Sequence, residues 1–175
     1  MKVVYKINAD LIATIKEDLS RFHPYAFERI GFISNSCAYT SDDTLTIYAL
    51  GYTPIPDDCY IPDYTVGVRF GKDAIQKALE LAFNEGGQNV SVFHVHEHMG
   101  SNVPWFSQTD LLSADEFVPD IFNTAPAMPH GILVLNERHA SGKVWTTKAE
   151  SQPIETVISV GSPTKYSNYH ERTLF

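Results

Sequence analysis

The sequence feature that most constrains this chain is a short apolar run that ends in three histidines spaced two residues apart. Residues 90–93, Val-Ser-Val-Phe, predict a buried β-strand, because β-branched and aromatic side chains favour strands. His94, His96 and His98 follow, and residues at such intervals project from one face of an extended chain. The sequence therefore predicts a strand whose end presents neighbouring imidazoles to one common object.

A second polar pattern, Ser107-x-x-Asp110, stands directly before the apolar pair Leu111 and Leu112. Taken alone, it is typical of a helix start at which the two polar side chains cap the backbone. Taken with the histidines, Asp110 completes a set of two imidazoles and one carboxylate, which is a usual zinc ligand set. Three protein ligands leave the fourth position for water, so the pattern favours a catalytic metal over a closed structural one.

The spacing of the histidines limits which of them share one ion. A strand rises about 3.3 Å per residue, so His94 and His98 start roughly 13 Å apart and cannot both reach one ion from an extended chain. The ligand pair is therefore His94 with His96, or His96 with His98. The apolar run stops at His94, and a rigid strand end positions a ligand better than the loop that residues 100–102 predict. We therefore expect His94 and His96 to bind the metal, with His98 at the rim of the cleft.

Length and composition exclude several classes of protein. A chain of 175 residues suits one domain with a proper core. The formal net charge of −8, without a basic run, disfavours a nucleic-acid partner. No apolar stretch approaches the length of a membrane span, and the start lacks the apolar region of a signal peptide. Cys37 and Cys59 build neither a disulfide framework nor a cysteine zinc site, so we expect a reducing cytoplasm.

The periodicity of the remaining chain predicts an α/β domain of mostly antiparallel strands with two long helices and one short one. Asn8 is placed to cap a first helix, residues 73–85 predict a second that Gly86-Gly87 ends, and the third is expected to run from Ser107 to about Phe117, with Pro119 bending or ending it. Strands are expected at residues 3–7, 27–33, 44–50, 65–70, 90–93, 131–135, 143–147 and 156–160. Residues 51–64 are interpreted as an ordered loop, and residues 162–175 as a polar tail after a domain that spans 1–161.

Glu28 adds a carboxylate at the mouth of an early predicted strand. If that strand neighbours the histidine strand, Glu28 reaches the water that the metal activates, since a metal lowers the pKa of its water from about 15.7 to about 7. A glutamate at that place takes the proton and later gives it to a leaving amine. Ser107 would offer its hydroxyl to the developing oxyanion.

Together, Glu28 in FERIGFI, His94-x-His96 and Ser107-x-x-Asp110 resemble the JAMM (JAB/MPN) zinc metalloproteases. The order of the elements is also similar, and HGILVLNERHASGKVW resembles the hairpin of bacterial members, including those encoded with ubiquitin-like conjugation systems. The resemblance covers roughly residues 25–147. Two departures stand out, because Glu97 replaces a frequent proline and thirteen residues separate His96 from Asp110, where about ten are usual. The pair His96 and His98 would leave eleven residues before Asp110, nearer the family spacing.

The resemblance implies one MPN-like domain that holds one Zn²⁺ per chain on His94, His96 and Asp110, with Glu28 as general base and acid and Ser107 as oxyanion stabiliser. It further implies a metallo-isopeptidase or peptidase that cleaves at the C-terminus of a ubiquitin-like protein, in deconjugation or precursor processing. Activating and conjugating enzymes of the same pathway would be further partners. Two alternatives remain open, a catalytically inactive MPN scaffold for protein contacts and a zinc hydrolase of a small amide substrate.

Overall fold

A nine-stranded sheet forms the centre of the computed structural model, which describes residues 1–22, 27–40, 42–63, 65, 67–86, 89–161 and 170–172. The strands are β1 Lys2–Asn8, β2 Ile30–Thr40, β3 Thr44–Pro54, β4 Ser91–Glu97, β5 His130–Leu135, β6 Ala140–Trp145, β7 Ser151–Pro153, β8 Thr156–Val160 and β9 His170–Arg172. The helices are α1 Ala9–Leu19, α2 Lys72–Gly86 and α3 Gln108–Thr124, and a 3₁₀ turn spans Asp57–Cys59.

The strands lie in the order β7-β6-β5-β4-β2-β3-β1-β8-β9. Neighbouring strands run antiparallel except at three places, where β1 pairs with β3 and with β8, and β4 pairs with β5. The expected α/β domain with a mostly antiparallel sheet and three helices is therefore confirmed for the described part of the chain. None of the helices there is long and apolar enough to cross a membrane.

Helices cover both faces of the sheet, because alternate strand residues point to opposite sides. On one face, Ile15 of α1 packs into a core that includes Phe93 and Val95 of β4. On the other face, α2 and α3 pack over Val92, with Phe117 of α3 in the same buried cluster. The even-numbered residues of β4 therefore point towards α2 and α3.

Two of the departures from the predicted elements concern segments that pack near the histidine strand. Residue 65 and residues 67–70 form no strand of the described sheet, and among them only Phe70 forms a bridge, to Tyr60. Helix α3 continues past Pro119 to Thr124, beyond the expected end near Phe117. A proline inside a helix costs about 3 kcal/mol, and the buried side chains of the following turn, Ile121 and Phe122, offset that cost by packing in the core.

Candidate metal centre

The pairing of β2 with β4 determines where the histidines lie. Ile30 lies opposite His96 and Phe32 opposite His94, so the sheet is paired beyond His94. The extended chain continues, since the backbone N–H of His98 donates to the carbonyl of Leu135 at 2.8 Å. All three histidines belong to the alternate positions that face α2 and α3.

His96, His98 and Asp110 converge on one point of this face. The Nε2 atoms of His96 and His98 lie 3.1 Å apart. Asp110 places Oδ1 at 3.5 Å from His96 Nε2 and Oδ2 at 3.6 Å from His98 Nε2. Glu28 joins them, because one ligand atom each of Glu28, His96 and His98 all lie within 4.8 Å of one another.

This arrangement fits a small divalent cation. Zinc bonds of 2.0–2.2 Å in a tetrahedral site place neighbouring ligand atoms roughly 3.4 Å apart, close to the 3.1, 3.5 and 3.6 Å that join His96, His98 and Asp110. Two carboxylates meet here, and none of the described residues that line the surrounding cavity is a lysine or arginine. A cation is therefore the natural charge complement of Glu28 and Asp110.

His94 does not occupy the place expected for it. Its ring packs in an aromatic cluster, with centroids 5.6 Å from Phe70, 5.6 Å from Phe117 and 5.9 Å from Phe32. Its Nε2 atom is buried without a hydrogen-bond partner among the described residues. Burial lowers the pKa of His94 to about 3, which leaves the imidazole neutral.

The expected ligand pair, His94 with His96, is therefore not the pair that the structure brings together beside Asp110. The physical reason is that the end of the apolar run is not the end of the strand. Because β4 remains paired through Glu97, His96 and His98 stand nearest to the start of α3. His98 takes the place that the sequence had assigned to His94.

Ser107 and Asp110 form a complete capping box at the start of α3. The backbone N–H of Ser107 donates to Asp110 Oδ2 at 2.7 Å, and that of Asp110 donates to Ser107 Oγ at 3.1 Å. Burial alone raises the pKa of Asp110, but the hydrogen bonds from His96 and Ser107 outweigh it and hold this pKa well below its usual range. Asp110 is thus an anion held in a fixed orientation, and the Ser107 hydroxyl, which accepts here, keeps its own hydrogen for another acceptor.

Glu28 lies just before β2 and is held by the segment around Gly67. The backbone N–H groups of Phe27 and Glu28 donate to the carbonyl of Gly67 at 2.9 and 3.0 Å. Burial raises the pKa of the Glu28 carboxyl above its ordinary value, and the charge of Asp110 adds to this, whereas His96 and His98 oppose it. A carboxyl whose pKa is raised towards neutrality is suited to accept and return a proton.

Three of the four converging side chains, those of Glu28, His98 and Asp110, line a cavity of about 640 Å³, and His94 lines it as well. Its apolar walls include Phe70 and Phe117, and Trp105 stands at its border with 73% of its surface exposed. Asn136 also lines it, and its amide donates to the carbonyl of Asn102 while its Oδ1 accepts from the backbone N–H of His139 at 2.7 Å.

Sequence reasoning missed both Gly67 and Asn136. The signal for Asn136 was the polar stretch after a strand, because asparagine there is typical of a turn that its own side chain closes. Gly67 carries no comparable signal. It matters because it lies against the side chain of Glu28, which is 39 positions earlier in the sequence (67 − 28).

Comparisons with known proteins add little to this geometry. No protein-family model and no curated protein matches the chain. Among solved structures, it is similar to the N-terminal domain of STIL from Trichoplax adhaerens, with a TM-score of 0.39, 10% sequence identity, and coverage of 79% of this chain and 40% of that chain. The chain thus spans less than half the length of that domain, and a likeness this weak carries no argument. The fold and the site define an α/β domain with a candidate metal centre.

Proposed function

We propose that this chain is a zinc-dependent peptidase or isopeptidase of the JAMM type, with an MPN-like domain. The observation that carries the proposal is the convergence of Glu28, His96, His98 and Asp110 beside one cavity, which Glu28, His98 and Asp110 line. Two imidazoles and a carboxylate are a usual catalytic zinc set, and the second carboxylate stands beside them without being needed as a ligand. Glu28, His96 and Asp110 are three of the residues that carry the JAMM resemblance, and their meeting in three dimensions supports the proposal.

The roles of the side chains follow from their positions. Bound zinc would supply Lewis acidity and a water that ionises near neutral pH. Glu28 would accept the proton of the attacking water on its carboxylate and pass it to the nitrogen of the leaving amine. Ser107 would donate its hydroxyl hydrogen to the oxygen that gains negative charge, since its Oγ already accepts from Asp110. His96, His98 and Asp110 would hold the metal.

The proposed substrate is the C-terminal tail of a ubiquitin-like protein, either as a precursor or as a conjugate. Met99 and Trp105 are strongly exposed beside the cavity, and such residue types are enriched at protein interfaces. The absence of lysine and arginine from the described cavity lining suits an uncharged backbone segment better than an anionic small molecule. Activating and conjugating enzymes are the proposed further partners, and the free thiols of Cys37 and Cys59 agree with a proposed reducing cytoplasm.

A zinc hydrolase of a small amide is the second candidate, because a cavity of about 640 Å³ lies within the usual range for small ligands. A metal-free scaffold accounts less well for the site, since protein contacts do not require a converging set of ligands and a base. Cleavage of a panel of ubiquitin-like fusions, measured beside small amide substrates, separates the two enzymes.

The first prediction tests the function itself. Protein purified without chelator should contain about one zinc per chain, and chelation should abolish cleavage that added zinc restores. Glu28→Gln should keep the metal and lose at least about 100-fold in turnover, because an amide does not accept the proton. Elemental analysis and the cleavage assay measure both effects, and Asp110→Ala is the control that loses the metal itself. Folded protein that cleaves its substrate without any divalent metal would contradict the proposal.

A further inference from the structure

Gly67 stands against the carboxyl group of Glu28. A Cβ atom placed on Gly67 would lie 2.7 Å from both Cδ and Oε2 of Glu28 and 2.8 Å from Oε1. Carbon atoms that are not bonded do not approach so closely in folded proteins, since contacts lie at about 3.5–4.0 Å. The carboxyl of Glu28 therefore occupies space that any side chain at position 67 would take.

The glycine is not explained by backbone conformation. Among the described glycines, positive φ angles occur at Gly100 and Gly161, and Gly67 is not one of them. An alanine could therefore adopt the backbone angles of residue 67 without the strain that a left-handed conformation imposes. Space for the neighbouring carboxyl, rather than a turn, is what requires glycine here.

The main chain of Gly67 also fixes the main chain of Glu28. Its carbonyl accepts both the Phe27 and the Glu28 N–H groups, so the two segments are joined at the residue that carries the base. Because this contact is between backbones, the main chain at residue 67 cannot move away from Glu28 without breaking these hydrogen bonds. The conflict then has to be relieved by rotation of the Glu28 side chain.

We propose that Gly67 is the positioning residue for the Glu28 carboxyl, which it holds beside His96 and His98 by two backbone hydrogen bonds and by the lack of a side chain. This inference rests on the proposed function, because it assigns Gly67 to the same site. It predicts a separation of effects. The group displaced by a Cβ is the flexible end of a glutamate, so folding is little affected while the position of the base changes.

Gly67→Ala tests this, and Gly71→Ala is the matched control. A Cβ at Gly71 has its nearest neighbours at 3.7 Å, an ordinary contact, in the same stretch of chain. Gly67→Ala should lower kcat by about 100-fold with little change in KM, the size of loss that a displacement of about 1 Å causes. Gly71→Ala should match the wild type in kcat and KM. In Co²⁺-loaded protein, Gly67→Ala should also change the visible absorption spectrum, which reports the groups around the ion without any turnover.

A double-mutant cycle with Glu28→Ala tests the inference through the cobalt spectrum and the urea unfolding midpoint, neither of which requires turnover. Without the carboxyl there is nothing for the new Cβ to meet, so Gly67→Ala in that background should leave the cobalt spectrum and the urea unfolding midpoint unchanged. An equal change of the cobalt spectrum on Gly67→Ala in the presence and absence of the Glu28 carboxyl would overturn the inference, as would wild-type kcat and spectrum in the single variant. Failure of the proposed function is distinguishable, because the wild type itself would then bind no metal or cleave no substrate.

Discussion

Asp110 shows how one side chain serves both the fold and the site. Its Oδ2 accepts from the backbone of Ser107 and lies near His98, while its Oδ1 lies near His96. The capping box that starts α3 therefore also aims the carboxylate at the two imidazoles. A capping interpretation and a metal-ligand interpretation of Ser107-x-x-Asp110 are not alternatives, because the same geometry satisfies both.

The structure predicts which histidine can be lost without loss of the metal. His98→Ala should release zinc, because it removes one of the two imidazoles beside Asp110. His94→Ala should retain zinc, although it leaves a cavity within the aromatic cluster of Phe32, Phe70 and Phe117. Zinc titration against a chromophoric chelator measures both. If His94→Ala loses the metal and His98→Ala binds it normally, the ligand pair is the one that the sequence favoured.

The choice between the histidines shows which part of the site the sequence alone could not predict. The sequence does identify four candidate site residues by their chemistry and order, namely Glu28, His96, Ser107 and Asp110. The position of the strand end could not. It depends on pairing of β4 with Ile30 and with β5, and these contacts lie far away in the sequence.

At the scale of elements, His130 joins three of them. It begins β5, its Nδ1 accepts from the Val92 N–H of β4 at 3.0 Å, and its Nε2 lies 2.8 Å from the carbonyl of Ala125 just after α3. Its ring also packs edge-on against Phe122 with centroids 4.7 Å apart. One ring nitrogen accepts a hydrogen bond and the other donates one, so the fully buried imidazole is held in its neutral form.

This linkage predicts a loss of stability in mild acid. Burial lowers the pKa of His130 to about 4, against an ordinary value near 6.5. Between these values the unfolded chain binds a proton that the folded chain does not, so stability is full above about pH 6.5 and falls by about 3 kcal/mol towards pH 4. Urea unfolding of metal-free protein at several pH values measures this. His130→Asn should be less stable at pH 7 but should lack this part of the pH dependence. Equal losses in both proteins would contradict the assignment.

The elements themselves could be predicted where local pattern and packing agree. Asn8 caps α1 with its side chain on the Asp10 N–H, as the sequence indicates, and β5 pairs with β6 as the predicted hairpin, although β6 begins at Ala140 rather than at residue 143. Residues 65–70 have strand-like composition, but β2 already pairs with β3 and β4, so neither edge of β2 is open to another strand. Pro119 ends a helix only when packing does not continue beyond it, and here packing continues.

At the scale of the whole molecule, the candidate site draws on segments that are distant in the sequence. Glu28 precedes β2, His96 lies near the end of β4 and His98 directly follows it, and Asp110 lies in the first turn of α3. These segments approach only when the sheet and α3 are assembled, so the unfolded chain lacks the site. A metal that binds here must therefore stabilise the folded state by mass action.

The last prediction follows from this coupling. At free zinc about 1,000 times its Kd, binding stabilises the folded chain by about 4 kcal/mol. For a chain of 150–250 residues, each 1 kcal/mol moves Tm by roughly 2–4 °C, so chelation should lower Tm by about 10 °C. Differential scanning calorimetry with zinc and with chelator measures the difference. Asp110→Ala should unfold at the same temperature in both conditions, whereas His94→Ala should keep the zinc-dependent difference because it leaves the ligands in place. A wild-type Tm that does not change with zinc would show that these side chains meet without forming a metal site. The carboxylates of Glu28 and Asp110 would then need another partner within the fold.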